Sequence, residues 1–460
     1  MNEETRAFIR EHREDDIRVL ALQGRHPVGV DMPWALEQIA GWQTARRKLP
    51  SWAAVEGIVF PPRLSMEQCS SEPTARYKVG ITQRLMKTGE GAASKELVEG
   101  TLSGEVAERT ASKELAERTT YGEVTGETAS EELAEGTVSE QLAERSRGKA
   151  FADLTGGFGV DFSFLSRLFG RSVYVEQQPV LCDVARANFR LLGLHGVEVI
   201  NGDCTEALTT LDHLDLIYLD PARRDLHGQR TFAISDCTPD VLLLRDELLR
   251  RSRWVLVKLS PMLDWHKAVD DLGGCVHEVH IVAVGNECKE LLLVMSAQPC
   301  REPVVCCAND DEVFRFSPCA SPTLPLVEGR PEGILCEPHA AIMKAGCFGE
   351  LSARFGIPAI APNSHLFVAP QPIDGFPGRQ YSIERVTSFS KKELRRAMEG
   401  ITKANVSVRN FPLTAEQLRR RLKVTDGGGT HIFGTTTARQ EHILVVCRRI
   451  FFEKKAAIPS

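Results

Sequence analysis

A glycine-rich turn follows a short apolar run in the segment 152–165, ADLTGGFGVDFSFL. The run ends at Asp153, and glycines let the backbone after it approach a ligand closely at the carboxyl end of a strand. Enzymes that bind dinucleotides place a third glycine where this chain has Phe162, and a bulky side chain there disfavours a pyrophosphate site. The turn therefore predicts a nucleotide-like ligand without a pyrophosphate, with a plain glycine turn as the alternative.

Three more acids stand at the ends of the following predicted strands. Glu176 comes 23 residues after Asp153, where an acid can accept hydrogen bonds from both ribose hydroxyls. Asp203 can receive an adenine amino group, although Asp is also a favoured helix N-cap. Asp220 ends a fourth strand in the crevice. An acid before the glycine turn suits the ammonium group of a methionine chain, so this order favours S-adenosylmethionine as the ligand.

In class I methyltransferases, whose order of motifs this chain resembles, the position of the segment IYLDPARRD, which contains Asp220, faces the methyl group of that ligand, and we expect the same here. Enzymes that methylate amino groups often have an acid or Asn, two prolines and an aromatic residue here, whereas this chain has Pro221, Ala222 and Arg223. That difference leaves the methyl acceptor open. Arg223 and Arg224 are suited to hold a phosphate, and the alternative is a pair of solvated loop arginines.

Strands alternate with helices through the whole region that carries these residues. The predicted strands are KAFADL, SVYVEQ, VEVING, LDLIYLD and RWVLVKLS, followed by the hairpin pattern HEVHIVAVG and ELLLVMSA. The alternation predicts a parallel sheet with helices on both faces that ends in an antiparallel pair. Residues 1–85 are predicted to be mostly helical, residues 298–330 irregular, and 339–356 a single helix.

Residues 93–146 are six tandem copies of a nine-residue unit, with thirteen Glu against five Lys and Arg. Nine residues fit no coiled-coil period, and each unit has too few apolar residues to bury a core. The repeat is therefore interpreted as a disordered or transiently helical insertion that arose by expansion, with an acidic docking segment as the alternative.

Charge and composition restrict the class of protein further. Residues 381–460 contain sixteen Lys and Arg against seven Asp and Glu, which indicates a nucleic-acid binder or, alternatively, a well-solvated surface. No run of about 18 apolar residues predicts a membrane span, and the amino-terminal residues do not form a secretory signal. Thirteen scattered cysteines without a C-x-x-C pair predict reduced thiols, a cytoplasmic location and no zinc site.

The chain resembles bacterial class I S-adenosylmethionine-dependent methyltransferases with a THUMP-like C-terminal domain, a family known mainly from Bacteroidota. The matching segments are LSMEQCSSEPTARYK, DLTGGFGVDFSFL, YLDPARR, VKLSPMLDW, EPHAAIMKAG, PNSHLFV, FPGR, KANVSVRNFPL and DGGGTHIFGTT. The resemblance implies a helical part over 1–87, the Glu-rich insertion over 88–148 and a Rossmann-like methyltransferase domain over 149–300. It further implies an α+β ferredoxin-like domain over 301–385 and a THUMP-like domain over 386–460.

Because THUMP domains generally belong to RNA-modifying enzymes, the resemblance implies direct methyl transfer to a tRNA or rRNA base without a metal. The alternatives are a small-molecule or protein acceptor, or a non-catalytic RNA-binding protein. We expect the catalytic residues to be Asp220, Pro221 and Arg223. Expected cofactor contacts are Asp153, Thr155, Gly157, Gly159, Glu176, Asp203, Cys204 and Asp220, and expected substrate contacts are Arg224, Lys258, Arg409 and Arg419.

Two motifs allow a second interpretation. Ser70, Ser71, Glu72 and Tyr77 form either a lid over the ligand or the N-capped start of a helix. Cys204 could be a nucleophile toward a pyrimidine ring, but its position after the third strand favours a thiol in the core or against the cofactor.

Overall fold

The computed structural model describes residues 2–22, 27–87, 148–223, 234–318 and 322–452. These residues form two compact units. The first comprises Met1–Val279 and Glu290–Arg301, and the second comprises His280–Lys289 and Glu302–Ser460. The nonapeptide repeat lies outside the described residues.

The described residues before the repeat are mostly helical, as the sequence predicts, and form α1 (Glu3–His12), α2 (Ile17–Leu22), α3 (Met32–Lys48), α4 (Pro50–Ala53), α5 (Arg63–Gln68) and α6 (Glu72–Lys87). Local sequence explains where several of them start. The side chain of Asn2 accepts the Thr5 amide at the start of α1, and the side chain of Asp31 accepts the Trp34 amide at the start of α3.

A parallel sheet follows the helices. Its strands are β1 (Ala150–Asp153), β2 (Arg171–Glu176), β3 (Val197–Asn201), β4 (Leu214–Leu219) and β7 (Ser252–Leu259), joined by α7 (Val160–Leu165), α8 (Pro179–Leu191), α9 (Cys204–Thr210) and α10 (Val241–Arg251). The strands lie in the order β7-β4-β1-β2-β3 and pair in parallel. The five predicted strands are confirmed. Strands β1 and β4 are almost wholly buried, as expected for a sheet covered on both faces.

After α11 (Trp265–Leu272), the chain forms the predicted hairpin of β8 (Val276–Val284) and β9 (Glu287–Met295). Strand β9 pairs antiparallel to β7, so the parallel sheet ends in an antiparallel strand. A separate two-stranded ladder joins β5 (Ala222–Arg223) to β6 (Cys237–Thr238).

The helices before the repeat pack on the glycine turn within the first unit. Phe158 and Val160 belong to the same buried apolar cluster as Trp52 and Phe60. The side chain of Asn188 makes two hydrogen bonds to the backbone of Val59, at 2.9 and 2.8 Å, which satisfies both groups. The two parts of the sequence therefore share one core.

Residues at the two ends of the 88–147 segment also meet. The Lys149 ammonium donates a hydrogen bond to the Met86 carbonyl at 3.3 Å. Arg84, two residues earlier on α6, forms a two-point ion pair with Glu278 on β8. Helix α6 and the sheet are thus held together on both sides of the repeat.

In the second unit, one prediction for the chain after Ala297 is wrong. Residues 298–330 are not wholly irregular, because β10 (Val304–Asn309) and β11 (Glu312–Phe316) form an antiparallel hairpin. Asp310 lies in its turn with φ of +52°, a left-handed conformation that Asp tolerates better than most residues. The surrounding prolines and the short length of each strand concealed this hairpin.

The predicted helix over 339–356 is divided into α12 (Ala340–Ala345) and α13 (Phe348–Phe355). Gly346 ends α12 with φ of +72°, the left-handed C-cap that glycine adopts without strain. His339 begins α12, and its Nδ1 accepts the Ile342 amide at 3.4 Å.

The rest of the second unit is a six-stranded sheet in the order β13-β12-β14-β17-β16-β15. Its strands are β12 (Ile334–Pro338), β13 (Phe367–Ala369), β14 (Gly378–Ser388), β15 (Asn405–Arg409), β16 (Thr430–Thr436) and β17 (His442–Arg449), with helices α14 (Lys391–Ala397) and α15 (Ala415–Leu422). A capping box between Thr414 and Gln417 starts α15. One face of the sheet carries Leu418 and Leu422 of α15 against Leu444 and Val446.

No helix in the described parts of the chain is both long and apolar enough to cross a membrane.

Candidate active site

The glycine turn follows β1 and is held by β2. The Gly157 amide donates to Glu176 Oε2 at 2.8 Å, and the Tyr174 hydroxyl donates to the Gly157 carbonyl at 2.5 Å. A Cβ on Gly156 would lie 2.2 Å from the Tyr174 ring, so this position requires glycine for close packing. At Gly157 the requirement is conformational, since φ is +57° and the neighbouring space is open. The backbone is therefore free to approach a ligand there.

Phe162 occupies the core under this turn. It is fully buried, it stacks on Phe151, and its ring meets Tyr174 edge to face at 5.4 Å. Phe162 therefore packs between α7 and the strands, at the position where a dinucleotide site has its third glycine and a close helix–strand contact.

Glu176 and Asp203 end β2 and follow β3, as expected. Each Glu176 oxygen accepts one backbone amide, from Gly157 and from Gln178. Asp203 caps α9 through Oδ1, while its Oδ2 accepts from the Gln177 side chain at 3.1 Å. Because a carboxylate has about four acceptor sites, both acids retain capacity for ligand hydroxyl or amino groups.

Thr155 makes hydrogen bonds to both Asp153 and Asp220, which lie far apart in the sequence. Its amide donates to Asp153 Oδ1 at 2.9 Å, and its hydroxyl accepts the Asp220 amide at 2.6 Å. Asp153 is buried and Asp220 is partly exposed, with 38% of its side chain accessible. The candidate ammonium site and the candidate methyl-transfer site are therefore neighbours at the ends of β1 and β4.

Lys258 lies on β7 next to the candidate methyl-transfer site. Its ammonium is 2.5 Å from Asp220 Oδ2, and only 11% of its side chain is exposed. Burial alone would lower the pKa of Lys258, but the carboxylates of Asp220, Glu290 and Asp161 outweigh that effect and raise it. Lys258 is therefore a cation at neutral pH.

A second charged group lies buried beside this pair and was not predicted. Lys78 on α6 is 3.0 Å from Asp161 Oδ1 and 2.6 Å from Glu290 Oε2. The Ser70 and Tyr218 hydroxyls each donate to Asp161 Oδ2 at 2.6 Å. We call Ser70, Lys78, Asp161, Tyr218 and Glu290 the buried cluster.

The pKa values of the acids differ with their surroundings. Burial raises the pKa of Asp153 well above its ordinary value, and nearby Asp161, Asp220 and Glu176 add to this. The Asp220 side chain is only partly exposed, and its partial desolvation by the surrounding protein also raises the pKa of Asp220, although Lys258 opposes this effect. Burial acts in the same direction on Asp161, but Lys78 reverses it and lowers the pKa of that acid. A cationic ligand would relieve the cost of ionising Asp153.

The other expected site residues have various positions. Cys204 is buried in the first turn of α9, and burial raises its pKa to about 11, which disfavours a nucleophilic thiolate at neutral pH. Pro221 is buried directly after Asp220, and Gly159 turns into α7 with φ of +82°. Arg223 is described only through its backbone in β5, and Arg224 lies outside the described residues.

Arg409 and Arg419 lie in the second unit and have partners there. Arg409 is 2.8 Å from Glu337, and Arg419 contacts both Glu416 and Asp426. Their role in substrate binding stays a prediction.

The segment before α6 adopts the helix start that the sequence allowed. Ser71 lies within hydrogen-bonding distance of Thr74, and Glu72 accepts both the amide and the hydroxyl of Ser51. The Ser70 side chain is buried, in the buried cluster.

The donor set fits S-adenosylmethionine on its chemistry. A buried acid, a turn open at Gly157 and two acids with spare acceptor capacity match an ammonium group, a close backbone approach, a ribose and an adenine amino group. Within the described ranges no group of three or more His, Cys, Asp or Glu side chains is placed to hold a metal ion.

Comparison with known proteins addresses the family. Residues 335–377 match the family model of a ferredoxin-like domain, and residues 378–449 match that of a THUMP domain-like family. A solved structure of a candidate methyltransferase from Porphyromonas gingivalis W83 is 29% identical, covers 98% of this chain and 100% of its own, and superposes with a TM-score of 0.75. The predicted family resemblance is confirmed. The predicted fold class is also confirmed. The similarity to this methyltransferase further supports the predicted enzyme class and S-adenosylmethionine as the cofactor.

Other solved methyltransferases share much less with the chain. An rRNA methylase from Streptococcus thermophilus is 13% identical over 38% of this chain and 100% of its own, with a TM-score of 0.26. A precorrin-6y C5,15-methyltransferase from Geobacter metallireducens is 16% identical over 34% of this chain and 86% of its own, with a TM-score of 0.24. Similarity at this level supports no inference about function. No curated protein matches the chain.

Proposed function

We propose that this chain is an S-adenosylmethionine-dependent methyltransferase that acts on RNA. The observation that carries the proposal is the link through Thr155 between the buried Asp153 carboxyl and Asp220. It joins an acid suited to the ammonium group of the cofactor to an acid suited to orienting a methyl acceptor. The similarity to the candidate methyltransferase of Porphyromonas gingivalis supports the reaction class.

The protein's contribution to the reaction is mainly positioning. S-adenosylmethionine carries a methyl group that its sulfonium already activates for in-line displacement. Asp153 and the turn at Gly157 would fix the methionine end, while Glu176 and Asp203 would fix the nucleoside. Asp220, held by Lys258, would accept a hydrogen bond from the acceptor and align it.

RNA as the acceptor is supported by the THUMP domain-like match and by a basic surface in the same region. Arg449 on β17 lies opposite Tyr381 on β14, and the His431 ring is 4.9 Å from the Tyr381 ring. The Arg449 guanidinium is 5.0 Å from the ring of Phe451, whose side chain is 78% exposed. Burial lowers the pKa of His431, and the charges of Arg449 and Arg379 lower it further, so these basic groups are close together.

This arrangement suits a nucleic acid. Arg379 and Arg449 form no ion pair with an acid within the ranges that the structure covers. The two guanidinium groups can attract phosphates, although that of Arg379 also hydrogen-bonds the Tyr381 side chain, and an exposed aromatic ring offers a surface for base stacking.

Methyl transfer from labelled S-adenosylmethionine into total RNA tests the proposal. We expect label in RNA with the wild-type chain. Label in protein or small molecules would favour an enzyme with another acceptor. RNA binding without any label would favour a non-catalytic RNA-binding protein.

Replacing Arg379 and Arg449 together with glutamate is expected to weaken RNA binding by more than tenfold at low salt. The variant should also show a smaller salt dependence, because each lost phosphate contact removes about 0.7 from the slope of log affinity against log salt for a single strand. Fluorescence anisotropy with labelled tRNA across a salt series measures both quantities.

The matched control replaces Arg63 and Arg250 with glutamate. Both arginines are exposed in the first unit, where they pair with Glu67 and Glu247. Because each double variant replaces two arginines with two glutamates, the change in net charge is the same. Equal RNA affinity for the two double variants would show that overall charge, and not this surface, determines binding.

A further inference from the structure

Lys78 is the most buried cation near the candidate active site. Its side chain is 0% exposed, and it comes from helix α6, before the repeat, although its partners Asp161 and Glu290 lie on α7 and β9. A fully buried charge is costly unless it is paired, so its presence at this position calls for an explanation.

Lys78 belongs to a group of five charged side chains around the candidate methyl-transfer site. Asp161, Glu290 and Asp220 are three acids, and Lys78 and Lys258 are the two lysines beside them. Burial lowers the pKa of Lys258, and among the acids that raise it Asp220 has the largest effect, followed by Glu290 and Asp161. The negative charges of all three acids therefore stabilise the Lys258 cation, although only Asp220 forms an ion pair with it.

Removing the charge of Lys78 would change that distribution. Among the described residues, Asp161 and Glu290 would then have no cation in direct contact, and Lys258 is the other lysine whose charge lowers the pKa of Asp161. Attraction toward these two buried acids would weaken the hold of Lys258 on Asp220. In a site of low dielectric such competition is strong.

We propose that Lys78 is a positioning residue of the active site, which neutralises Asp161 and Glu290 and thereby leaves Lys258 to hold Asp220 as the ionised acceptor-binding group. The helical part before the repeat would thus contribute directly to the reaction centre. This inference rests on the proposed function, because that function assigns the acceptor to Asp220.

The titration of Asp220 is the direct readout. The charged and titratable groups that face it are Lys258 on β7, Asp161 on α7, Lys78 on α6, and Asp153 and Tyr218 on β1 and β4. Among these, Lys258 and Lys78 lower the pKa of Asp220, and Asp161 raises it. Loss of Lys78 should therefore raise the pKa of Asp220, both directly and by drawing Lys258 away.

The experiment follows the side-chain carboxyl signal of Asp220 by NMR in the full chain labelled with carbon-13 at the aspartate carboxyls. The signal is assigned by its absence in Asp220→Asn. In Lys78→Met we expect the pKa of Asp220 to rise by about one unit or more. The control is Lys87→Met, which removes an exposed lysine at the end of the same helix and should leave the titration unchanged.

A double variant keeps the proposal testable if Lys78→Met does not fold. Lys78→Met with Glu290→Gln removes one charge of each sign, so the pKa of Asp220 should return close to the wild-type value. Glu290→Gln alone should lower it. An Asp220 titration that is unchanged in every folded variant would overturn the proposal and leave Lys78 a purely structural residue.

Activity separates this inference from the proposed function. If RNA methylation occurs, the acid limb of the kcat profile should move upward in Lys78→Met by the same amount as the Asp220 titration. If the wild-type chain transfers no methyl group, the proposed function fails, while the carboxyl titration still decides whether Lys78 controls Asp220.

Discussion

Replacing Asp153 with asparagine is expected to lower the affinity for S-adenosylmethionine by about 10- to 100-fold at neutral pH. The reason is the loss of a charged hydrogen bond to the ammonium group, an interaction worth about 1.5–3 kcal/mol. Isothermal titration calorimetry measures the affinity.

Because burial raises the pKa of Asp153, the affinity for S-adenosylmethionine should depend on pH. Burial favours the protonated carboxyl in the ligand-free protein, whereas the ammonium group requires the carboxylate. Wild-type affinity should therefore rise with pH until the raised pKa is passed, and binding should release a proton. The asparagine variant has no proton to lose, so its affinity should be nearly constant over the same range.

Stability provides an independent check on the same group. A raised carboxyl pKa means that the folded protein holds the proton more tightly than the unfolded chain, so stability falls as pH rises through that pKa. The ligand-free asparagine variant should therefore unfold at a higher temperature than the wild type at high pH, with no difference at low pH. Asp183→Asn, at an exposed acid on α8, is the control. Identical affinity and pH dependence in wild type and Asp153→Asn would contradict the assignment of the ammonium site.

Replacing Asp220 with asparagine is expected to slow methyl transfer by about 100- to 1000-fold, the usual cost of removing one preorganised electrostatic partner of the reacting groups. Asparagine keeps the size and one acceptor oxygen, so the change isolates the charge and the orientation of the acceptor. Single-turnover transfer to RNA at saturating cofactor measures the rate.

Lys258 should behave as the partner of Asp220 in this assay. Lys258→Met is expected to slow transfer as well, and the double variant should be little worse than either single variant, because the two side chains act as one ion pair. Asp246→Asn, at an exposed acid on α10, is the control for charge. A rate for Asp220→Asn within about threefold of the wild type would contradict the assignment of the reaction centre.

The sheet of the first unit could be predicted because its strands are short, mainly apolar segments followed by polar residues and separated by helical patterns. Strand β4, for example, is LDLIYL and is followed directly by Asp220. Carboxyl ends of parallel strands meet at one edge of a sheet, so acids that follow such runs are brought together whatever the rest of the chain does. For the same reason Asp153 and Asp220 could be related before the structure, whereas the Thr155 hydrogen bonds that join them could not.

The buried cluster could not be predicted from spacing. Lys78 and Glu290 are more than 200 residues apart, and although Lys78 ends the segment LSMEQCSSEPTARYK, nothing in that segment points to Glu290. One signal was present. Lys78 shares the buried face of α6 with Ala75, Val79 and Thr82, and a lysine within a buried helical stripe indicates a partner of opposite charge elsewhere in the fold.

The contact between Met86 and Lys149 also has a consequence for the length of the nonapeptide array. The domain itself brings the two flanks of the nonapeptide array together, so neither flank depends on the array for its position. The free energy of joining two fixed ends of a chain grows only with the logarithm of the number of residues between them, by about 0.6 kcal/mol for each doubling. By this scaling, adding or removing one nine-residue unit should cost the protein little stability, because the contacts that hold the two flanks in place remain.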